Sequence, residues 1–435
     1  MWASSDPFLS GVQLGETAFP ILLLDLLRRE GVLEPKAVAQ YWPMVRRAVA
    51  YIVRSGPSTQ EDRWENQNGY TPYTLANVIA ALLVAADVAD DQGEESISTY
   101  LRETADAWNS AIESWLYVTG TELARRVGVE GYYVRIVPAG LNENSTPKVG
   151  HMRLKANPPS KNGKIPITDV ISPDALAFVR YGMRRPDDPR ILNTIKVIDA
   201  VNKVETPFGP CWHRYNGGGY GEHDDGAPYQ ETNRGHGRAW PLLTGERAHY
   251  ELMAGRLDEA LRLLHTLEAF AGDGGMIPEQ VWDADDLPEQ GLFKGRPSGS
   301  AMPLVWAHAE YIKLRRSLSD GRVFDLPPQT AQRYLVDKIR SNLVIWRFDH
   351  KRLVIAPGEV MRVEVQAPAL VHWSIDGWKT AREVSTLDTG LGIHIADLPT
   401  NSLRAGDQIV MTFRWPEADD RWEGNNFTTN VIDES

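Results

Sequence analysis

Two loop segments of the sequence each place a glutamate near a tryptophan, and these glutamates are suited to acid–base chemistry. The segment Gln60–Asn66 contains Trp64 and Glu65, and the segment Gly274–Trp282 contains Glu279. Cleavage of a glycosidic bond with inversion needs one carboxylic acid to protonate the leaving oxygen and one carboxylate to activate water. A tryptophan beside a carboxyl group excludes water and favours its protonated form.

The spacing of these carboxylates does not identify an enzyme, because acidic residues in loops are more often solvated surface groups. Two further acidic runs, Glu222–Asp225 and Asp283–Asp286, lack the spacing of a calcium-binding loop, and solvated turns explain them more simply. The sequence shows no phosphate-binding glycine loop and no serine in a nucleophile-elbow pattern. We therefore predict no metal and no cofactor; a structural calcium ion is compatible with the sequence but not indicated.

The composition of the chain argues against nucleic acid and against a membrane as binding partners. A net charge of −12 over 435 residues argues against nucleic acid, which requires clustered lysine and arginine. The longest apolar run, Phe19–Leu27, is too short to span a bilayer, so no membrane partner is predicted. The single cysteine, Cys211, excludes an intramolecular disulfide. The first residues lack the pattern of a signal peptide, and the compartment, cytoplasmic or secreted, stays open.

The elements that must position the two glutamates are helices up to about Ser319 and short strands from about Val336. Three helices begin with a side-chain oxygen followed by proline, at Thr71, Ser172 and Asp188, a combination that caps free N–H groups. The nine predicted helices are Thr17–Arg29, Trp42–Arg54, Pro72–Asp90, Ser96–Tyr117, Pro173–Tyr181, Pro189–Lys203, Arg238–Ala254, Leu257–Phe270 and Gly299–Leu318.

Short and long connections alternate between these helices, which places the long loops, and with them both glutamates, at one end of the assembly. Phe19–Leu27 and Ala76–Ala86 are apolar all round and are predicted to be buried, whereas Trp42–Arg54 and Ser96–Tyr117 are amphipathic. This pattern favours two concentric rings of helices, with an irregular helical bundle as the alternative.

Turn signals between short apolar runs predict a second domain of antiparallel strands at residues 336–435, after a linker at 321–335. The predicted strands are Leu343–Arg347, Arg352–Ile355, Met361–Val365, Leu370–Trp373 and Gln408–Phe413. The expected architecture is therefore mainly α, followed by a small antiparallel β-sandwich.

The glutamate segments resemble those of glycoside hydrolase family 15, the glucoamylases and glucodextranases. Gln60–Thr74 is similar to the family's general-acid segment, in which the acid directly follows the tryptophan, and this implies that Glu65 is the acid. Ile277–Gln280 is similar to the general-base segment, which implies that Glu279 holds the attacking water. The resemblance covers roughly residues 5–320.

The same resemblance implies sugar-binding roles for neighbouring residues. Trp212–Tyr215 is similar to the family's arginine loop. Arg238–Leu242 resembles the start of the next inner helix, which makes Trp240 a candidate platform for stacking on sugar. Asn66 departs from the Trp-Glu-Glu version of the acid segment, although its amide can still hydrogen-bond a sugar hydroxyl. The predicted substrate-binding residues are Trp64, Asn66, Arg214, Tyr215, Trp240 and Trp282.

The family fold is an (α/α)6 barrel of twelve helices, so nine helices in residues 1–320 imply an incomplete barrel. It would lack the N-terminal β-domain and the first helices of the family. If the first helix here is the fourth, Glu65, Arg214 and Glu279 lie in the interhelical loops that the family uses. The exposed inner helices expected of an open barrel make the missing N-terminal part a possible partner.

The function that the resemblance implies is an inverting, exo-acting glucan α-glucosidase that releases β-glucose from the non-reducing ends of α-glucans. Variants that hydrolyse trehalose or dextran are alternatives within the family. A non-catalytic fragment or carbohydrate-binding remnant is the alternative from another class. Trp373 and Trp378 of the C-terminal domain either pack into that domain or form an exposed platform for sugar.

Overall fold

The computed structural model describes residues 11–138, 150–152, 165–230 and 235–433, with helices in the first part and strands predominating in the last. The helices are α1 (Leu14–Arg29), α2 (Pro35–Gln40), α3 (Trp42–Ser55), α4 (Pro72–Asp91), α5 (Glu95–Leu116), α6 (Glu122–Val127), α7 (Ala177–Arg180), α8 (Pro189–Val201), α9 (Pro241–Met253), α10 (Leu257–Ala269), α11 (Val305–Asp320) and α12 (Pro328–Thr330).

Capping side chains start the helices as the sequence predicts. The hydroxyl of Thr71 accepts the amide N–H of Thr74 at 3.1 Å, with proline in the first turn of α4. The carboxylate of Asp188 accepts the amide N–H of Arg190 at 2.9 Å at the start of α8. After Ser172 the chain first forms a 3-10 turn before the short helix α7, so the predicted helix Pro173–Tyr181 is irregular.

Helix α4 forms the centre of the helical core. It is apolar and long enough to cross a membrane by length and composition, but 89% of its most apolar window is buried against the rest of the protein, as in a core helix. Helices α1 and α5 pack against it, and α9 packs against α10 and α11. Burial of these apolar faces is the main driving force for assembly of the helical region.

Several long loops are joined to one another by backbone hydrogen bonds. Tyr70 and Val137 exchange two such bonds, at 2.8 and 3.0 Å. Gly69 lies so close to this pair that an added Cβ would sit 2.3 Å from the carbonyl oxygen of Val137, so only glycine fits there. Isolated bridges also join Ala239 to Val281, which connects the loop before α9 to the loop that contains Glu279.

Three helical details differ from the predictions. Helices α9 and α11 begin later than expected, at Pro241 and Val305, and the residue directly before each, Trp240 and Leu304, has extended backbone. Helix α1 is not buried all round, since Phe19 and Leu23 are 40% and 54% exposed. On α11, Val305 is 77% exposed. No described element covers these apolar faces.

The segment predicted as a linker also contains ordered structure. Helix α12 continues into a π-helical turn at Ala331–Val336. Arg333 forms an ion pair with Asp106 of α5, and the hydroxyl of Tyr334 donates to the same carboxylate at 3.1 Å. These contacts attach residues 328–336 to the helical region.

The last part of the chain contains two sheets with one shared hydrophobic core. The strands are β7 (Leu343–Trp346), β8 (Val354–Ile355), β9 (Val360–Val365), β10 (Leu370–Ser374), β11 (Arg382–Ser385), β12 (Leu387–Asp388), β13 (His394–Leu398), β14 (Gln408–Trp415), β15 (Arg421–Trp422) and β16 (Phe427–Val431). The six-stranded sheet has the order β11-β10-β14-β16-β8, with β15 paired to β14, and the four-stranded sheet has the order β12-β13-β9-β7.

The pairing is mostly antiparallel, but β7 runs parallel to β9 and β8 runs parallel to β16, which the sequence did not predict. Trp346 of one sheet and Trp373 of the other are both 1% exposed within the same apolar cluster. The two-stranded ribbons of the helical region are formed by β1 (Tyr117–Thr119) with β2 (Gly131–Tyr133), β3 (His151–Met152) with β4 (Ile165–Pro166), and β5 (Lys203–Thr206) with β6 (Gly209–Trp212).

The strand region packs on the helical region through apolar and charged contacts. Leu391 and Ile393 are buried in the apolar cluster of the helices. Arg347 of the β-region donates to the carbonyl of Gly56 at 2.9 Å and pairs with the buried Glu364. The ion pair lies within the strand region, and the hydrogen bond from Arg347 to Gly56 joins it to the helical region.

Candidate active site

The loop that carries Glu65 is a tight turn centred on Asp62. The backbone N–H of Glu65 donates to the carbonyl of Asp62 at 2.8 Å. One carboxylate oxygen of Asp62 accepts the amides of Asn66 and Gln67 at 2.9 and 3.1 Å, and the other binds Arg135. Side chains of Asp62 and Arg135 are both fully buried, so the turn is fixed from within.

Glu65 itself faces solvent and has left-handed backbone, with φ of 58°. A residue other than glycine, asparagine or aspartate pays a steric penalty in this region, and such strain concentrates at functional positions. The turn therefore presents the Glu65 carboxylate at the surface of the loop, at a cost that the buried contacts of Asp62 offset.

The two residues before Glu65 anchor the turn to the helices. Arg63 forms ion pairs of 2.7 Å with both Asp174 and Glu246, and the indole N–H of Trp64 donates to Asp174 at 3.2 Å. Trp64 is only 4% exposed and its ring packs against Trp240 and Trp306, whereas the side chain of Glu65 is exposed. The water exclusion expected from a neighbouring tryptophan is thus absent around Glu65 in this structure.

Glu279 has a more enclosed environment. Its backbone N–H donates to the carbonyl of Ala301 at 2.9 Å, and its half-buried side chain lines a cavity of about 410 Å³ with Tyr220, Glu222 and Tyr229. Burial raises the pKa of Glu279 above its ordinary value, and the negative charge of Glu222 adds to this rise.

Three groups act in the opposite direction on Glu279. A hydrogen bond from the side chain of Gln280, the positive charge of Arg214 and a hydrogen bond from the hydroxyl of Tyr220 all favour the ionised form and partly offset the rise in its pKa. In return, burial and the neighbouring Glu279 contribute to a Tyr220 pKa of about 12, so this phenol stays protonated and donates at neutral pH. The arrangement suits a carboxylate that accepts a proton from water.

Arg214 connects the two glutamate segments. Its guanidinium donates to the carbonyl of Trp64 at 3.5 Å and lies 4.9 Å from the ring centroid of Tyr220. It is 6% exposed, and its Nε has no hydrogen-bond partner among the described residues. Arg214 thus contacts a residue that lines the Glu279 cavity and keeps one buried donor without a partner among the described residues.

The other predicted substrate-binding residues are less exposed than expected. Tyr215 and Trp240 are 1% and 4% exposed, and Trp240 packs edge-on against Trp64 with centroids 5.2 Å apart. Asn66 is buried, and its amide group donates to the carbonyl of Trp64. The predicted roles of these residues in sugar binding stay predictions, with their rings and amide placed beneath the two loops.

Trp282 lies apart from this group. It is fully buried, its indole N–H donates to the carbonyl of Asp285 at 2.8 Å, and the guanidinium of Arg238 covers its ring at 4.2 Å. Proximity in sequence to Glu279 therefore does not place the Trp282 ring on the cavity, and its described contacts are structural.

Sequence reasoning missed three residues of the cavity, Tyr220, Glu222 and Tyr229. They come from a glycine-rich loop whose acidic run suggested only a solvated turn. Instead Glu222 is 7% exposed, and one of its carboxylate oxygens has no hydrogen-bond partner among the described residues. The signal that could have found them is the length of this loop, which must cross the same end of the assembly as the Glu279 loop.

The described residues contain no group of three or more histidine, cysteine, aspartate or glutamate side chains that could hold a metal ion. The run at Asp283 is used instead in ion pairs with His213 and Arg238, at 2.6 and 2.9 Å. Cys211 is buried, and burial raises its pKa to about 12.

The helix-rich region resembles the fold of a bacterial glucoamylase, a glycoside hydrolase. Residues 5–316 match the model of the glycosyl hydrolases family 15, and the chain belongs to this family.

Two similar proteins support this assignment. The chain is 38% identical over 334 residues to a glucoamylase from Clostridium sp. (strain G0005), a match that covers 77% of this chain and 43% of the relative. A crystal structure of a bacterial glucoamylase complexed with acarbose superposes with a TM-score of 0.64 at 37% identity, covering 75% of this chain and 44% of that one.

A shorter match links the chain to a cycloisomaltooligosaccharide glucanotransferase from Niallia circulans, which is 27% identical over 97 residues, or 20% of this chain and 10% of that protein. The chain thus spans less than half the length of the two glucoamylases to which it is 37–38% identical.

Proposed function

We propose that this chain carries the catalytic centre of an inverting, exo-acting glucan α-glucosidase that releases β-glucose from the non-reducing ends of α-glucans. Glu65 acts as the general acid and Glu279 as the general base. The observation that carries the proposal is Arg214, which contacts the Glu65 segment and acts electrostatically on Glu279. The family and the two glucoamylase relatives support the substrate class.

The environments of the two glutamates fit these roles. Glu279, beside Tyr220 and Arg214 in its cavity, accepts a proton from water as that water attacks the anomeric carbon. Glu65 donates its proton to the leaving oxygen, and a glucan bound across its exposed carboxylate supplies the exclusion of water that Trp64 does not. Arg214 holds hydroxyl groups of the sugar between them.

The architecture that we propose for this function is an incomplete (α/α)6 barrel over residues 1–320, followed by a β-sandwich accessory domain at 336–435. Exposed apolar side chains on α1 and α11, such as Leu23 and Val305, are what an open barrel would show. The shared core of the two strand sheets supports a sandwich.

The test is hydrolysis of maltose by three matched variants, each of which replaces a glutamate by glutamine. Glu65→Gln and Glu279→Gln should each lower kcat by about 10²- to 10⁴-fold, the contribution of general acid–base catalysis. Glu122→Gln, on an exposed side chain of α6, should leave the rate unchanged. Full activity in a folded Glu65→Gln or Glu279→Gln protein would overturn the role of that residue.

A further inference from the structure

The outer face of the six-stranded sheet carries an aromatic cluster that the catalytic proposal does not use. The ring of Trp378 stacks on His372 with centroids 5.3 Å apart and an interplanar angle of 18°. Trp422 packs edge-on against the other side of this cluster, 5.3 Å from the same His372 ring. The three rings come from β10, the loop that follows it, and β15.

These rings lie on the face of the sheet that points away from its apolar core. Along β10 the side chains alternate, so that Val371 and Trp373 are buried in the core and His372 between them points outward. Trp422 is 48% exposed, and Trp378 is half-buried by its stacking partner. Of the two tryptophans that the sequence singled out, Trp373 packs into the core and Trp378 is available at the surface.

The conformation of Trp378 is costly and is held by a dense turn. Its φ of 68° places a bulky residue in the left-handed region, where strain of about 1–3 kcal/mol is typical. Its backbone N–H donates to the hydroxyl of Ser374 at 3.0 Å. The carboxylate of Asp376 accepts the amide and the hydroxyl of Thr380 at 2.9 and 2.7 Å, bonds that lower the Asp376 pKa to about 2.

The strained backbone at Trp378 does not serve the packing of the core, because the Trp378 ring is not part of the apolar cluster of the two sheets. Strained residues that persist in a folded protein cluster at ligand-binding sites. Exposed tryptophans are also the side chains that combine a large apolar surface with a fixed orientation, which suits contact with a rigid ligand.

The charges around the rings select a neutral, hydroxyl-bearing ligand. Glu383 pairs with His372 at 3.1 Å, and Arg414, the cross-strand neighbour of Trp422, pairs with Asp420 at 3.3 Å. At both positions opposite charges are paired, so neither pair supplies the basic field that nucleic acid requires. The same side chains can exchange hydrogen bonds with sugar hydroxyls.

We propose that Trp378 and Trp422, arranged around His372, form a non-catalytic binding platform for α-glucan chains. The identity of the sugar rests on the proposed function, whereas the existence of the platform rests on the three rings and the strained turn. Sugar rings stack on the accessible surfaces of the exposed Trp422 and the half-buried Trp378, while Glu383 and Arg414 bind hydroxyls at their edges. The platform would hold polymeric substrate on the β-region while its chain ends reach the catalytic loops.

The test is retention of the protein by insoluble starch, measured by sedimentation as a function of starch concentration. Trp422→Ala and Trp378→Gly should each weaken retention by roughly 3- to 10-fold, the range expected for loss of one aromatic contact. Trp378→Gly keeps a residue suited to left-handed backbone, so this variant should fold. Tyr41→Ala removes a ring that is 44% exposed on the helical region and should retain binding.

Hydrolysis of maltose by the same proteins separates this proposal from the catalytic one. The platform variants should hydrolyse maltose like the wild type, and Glu279→Gln should lose hydrolysis but keep starch retention. Wild-type retention that the two tryptophan changes leave intact, or a wild type that starch does not retain, overturns the platform. A chain that starch retains through both tryptophans, but that releases no glucose, overturns the catalytic proposal alone.

Discussion

The loops that carry Glu65 and Glu279 each contain a tryptophan close to the carboxylate in sequence, but the two carboxylates have opposite surroundings in the structure. Glu65 is exposed on a strained turn, whereas Glu279 is half-buried on a cavity wall. The tryptophans that accompany them, Trp64 and Trp282, both point into the protein interior. A residue's neighbours along the chain therefore say little about its solvation, which depends on where the backbone directs each side chain.

The two loops are also stabilised differently. Buried charges hold the first, through Asp62 with Arg135 and Arg63 with Asp174. Backbone hydrogen bonds to neighbouring loops hold the second, from Glu279 to Ala301 and within the bridge at Val281. The first loop thus holds the backbone of Glu65 firmly but leaves its carboxylate in solvent. The second loop already encloses the carboxylate of Glu279 within the cavity.

The largest expected effect separates the roles of the two glutamates through the leaving group. Fluoride departs with little need of protonation, so Glu65→Gln should hydrolyse α-glucosyl fluoride at close to the wild-type rate while losing about 10²- to 10⁴-fold on maltose. Glu279→Gln should lose activity on both substrates because the base is needed for each. Steady-state rates measure this, and equal losses for Glu65→Gln on both substrates would contradict its role as acid.

The second expected effect concerns the residue that connects the loops. Arg214→Met keeps most of the side-chain volume but removes the charged donor, and it should lower kcat/KM for maltose by roughly 10- to 100-fold, as for loss of a charged hydrogen bond. Arg125→Met, on an arginine that is 64% exposed, is the matched control. An unchanged kcat/KM would mean that Arg214 only supports the loop and binds no sugar.

The third effect tests the strain on the acid loop. Glu65→Gly should have a free energy of unfolding about 1 kcal/mol higher than that of Glu65→Gln, because glycine adopts left-handed backbone without a steric penalty. Urea denaturation measures this difference. Both variants lack the carboxylate, so their comparison isolates the backbone. Equal or lower stability of the glycine variant would show that the turn is not strained.

The smallest effect concerns the base loop. Burial and the charge of Glu222 raise the pKa of Glu279, and a base acts only when ionised, so kcat/KM should fall on the acidic side of this raised pKa. Glu222→Gln removes one negative charge and should move this acidic limb to lower pH by less than about one unit. An acidic limb of the pH profile that stays in place, or moves to higher pH, would show that the charge of Glu222 does not raise the pKa of Glu279.

Much of the helical region could be predicted from capping and periodicity alone. The hydroxyl of Thr71 and the carboxylate of Asp188 cap their helices because local chemistry decides a helix start. The core position of α4 follows from its apolar surface. The contacts of Arg333 and Tyr334 with Asp106, more than two hundred positions earlier in the chain, could not be predicted, because no local pattern reveals them.

The site was predictable only in part, for the same physical reason. The resemblance placed Glu65, Glu279 and Arg214, whereas Tyr220 and Glu222 reach the cavity through a loop without regular structure. The burial of Trp282 beneath Arg238 likewise depends on a contact across the fold. A site formed by side chains from several loops depends on the tertiary contacts between those loops, and the periodicity of the sequence does not predict such contacts.

The most direct test of the account is NMR detection of the anomer first released when the purified chain acts on maltose and maltotetraose, with isomaltose and trehalose in parallel. Glu65 as acid and Glu279 as base on opposite sides of the bond predict β-glucose as the initial product, which then mutarotates. Initial release of α-glucose would show a retaining mechanism, and no release from the folded chain would show that these two loops do not form an active pair.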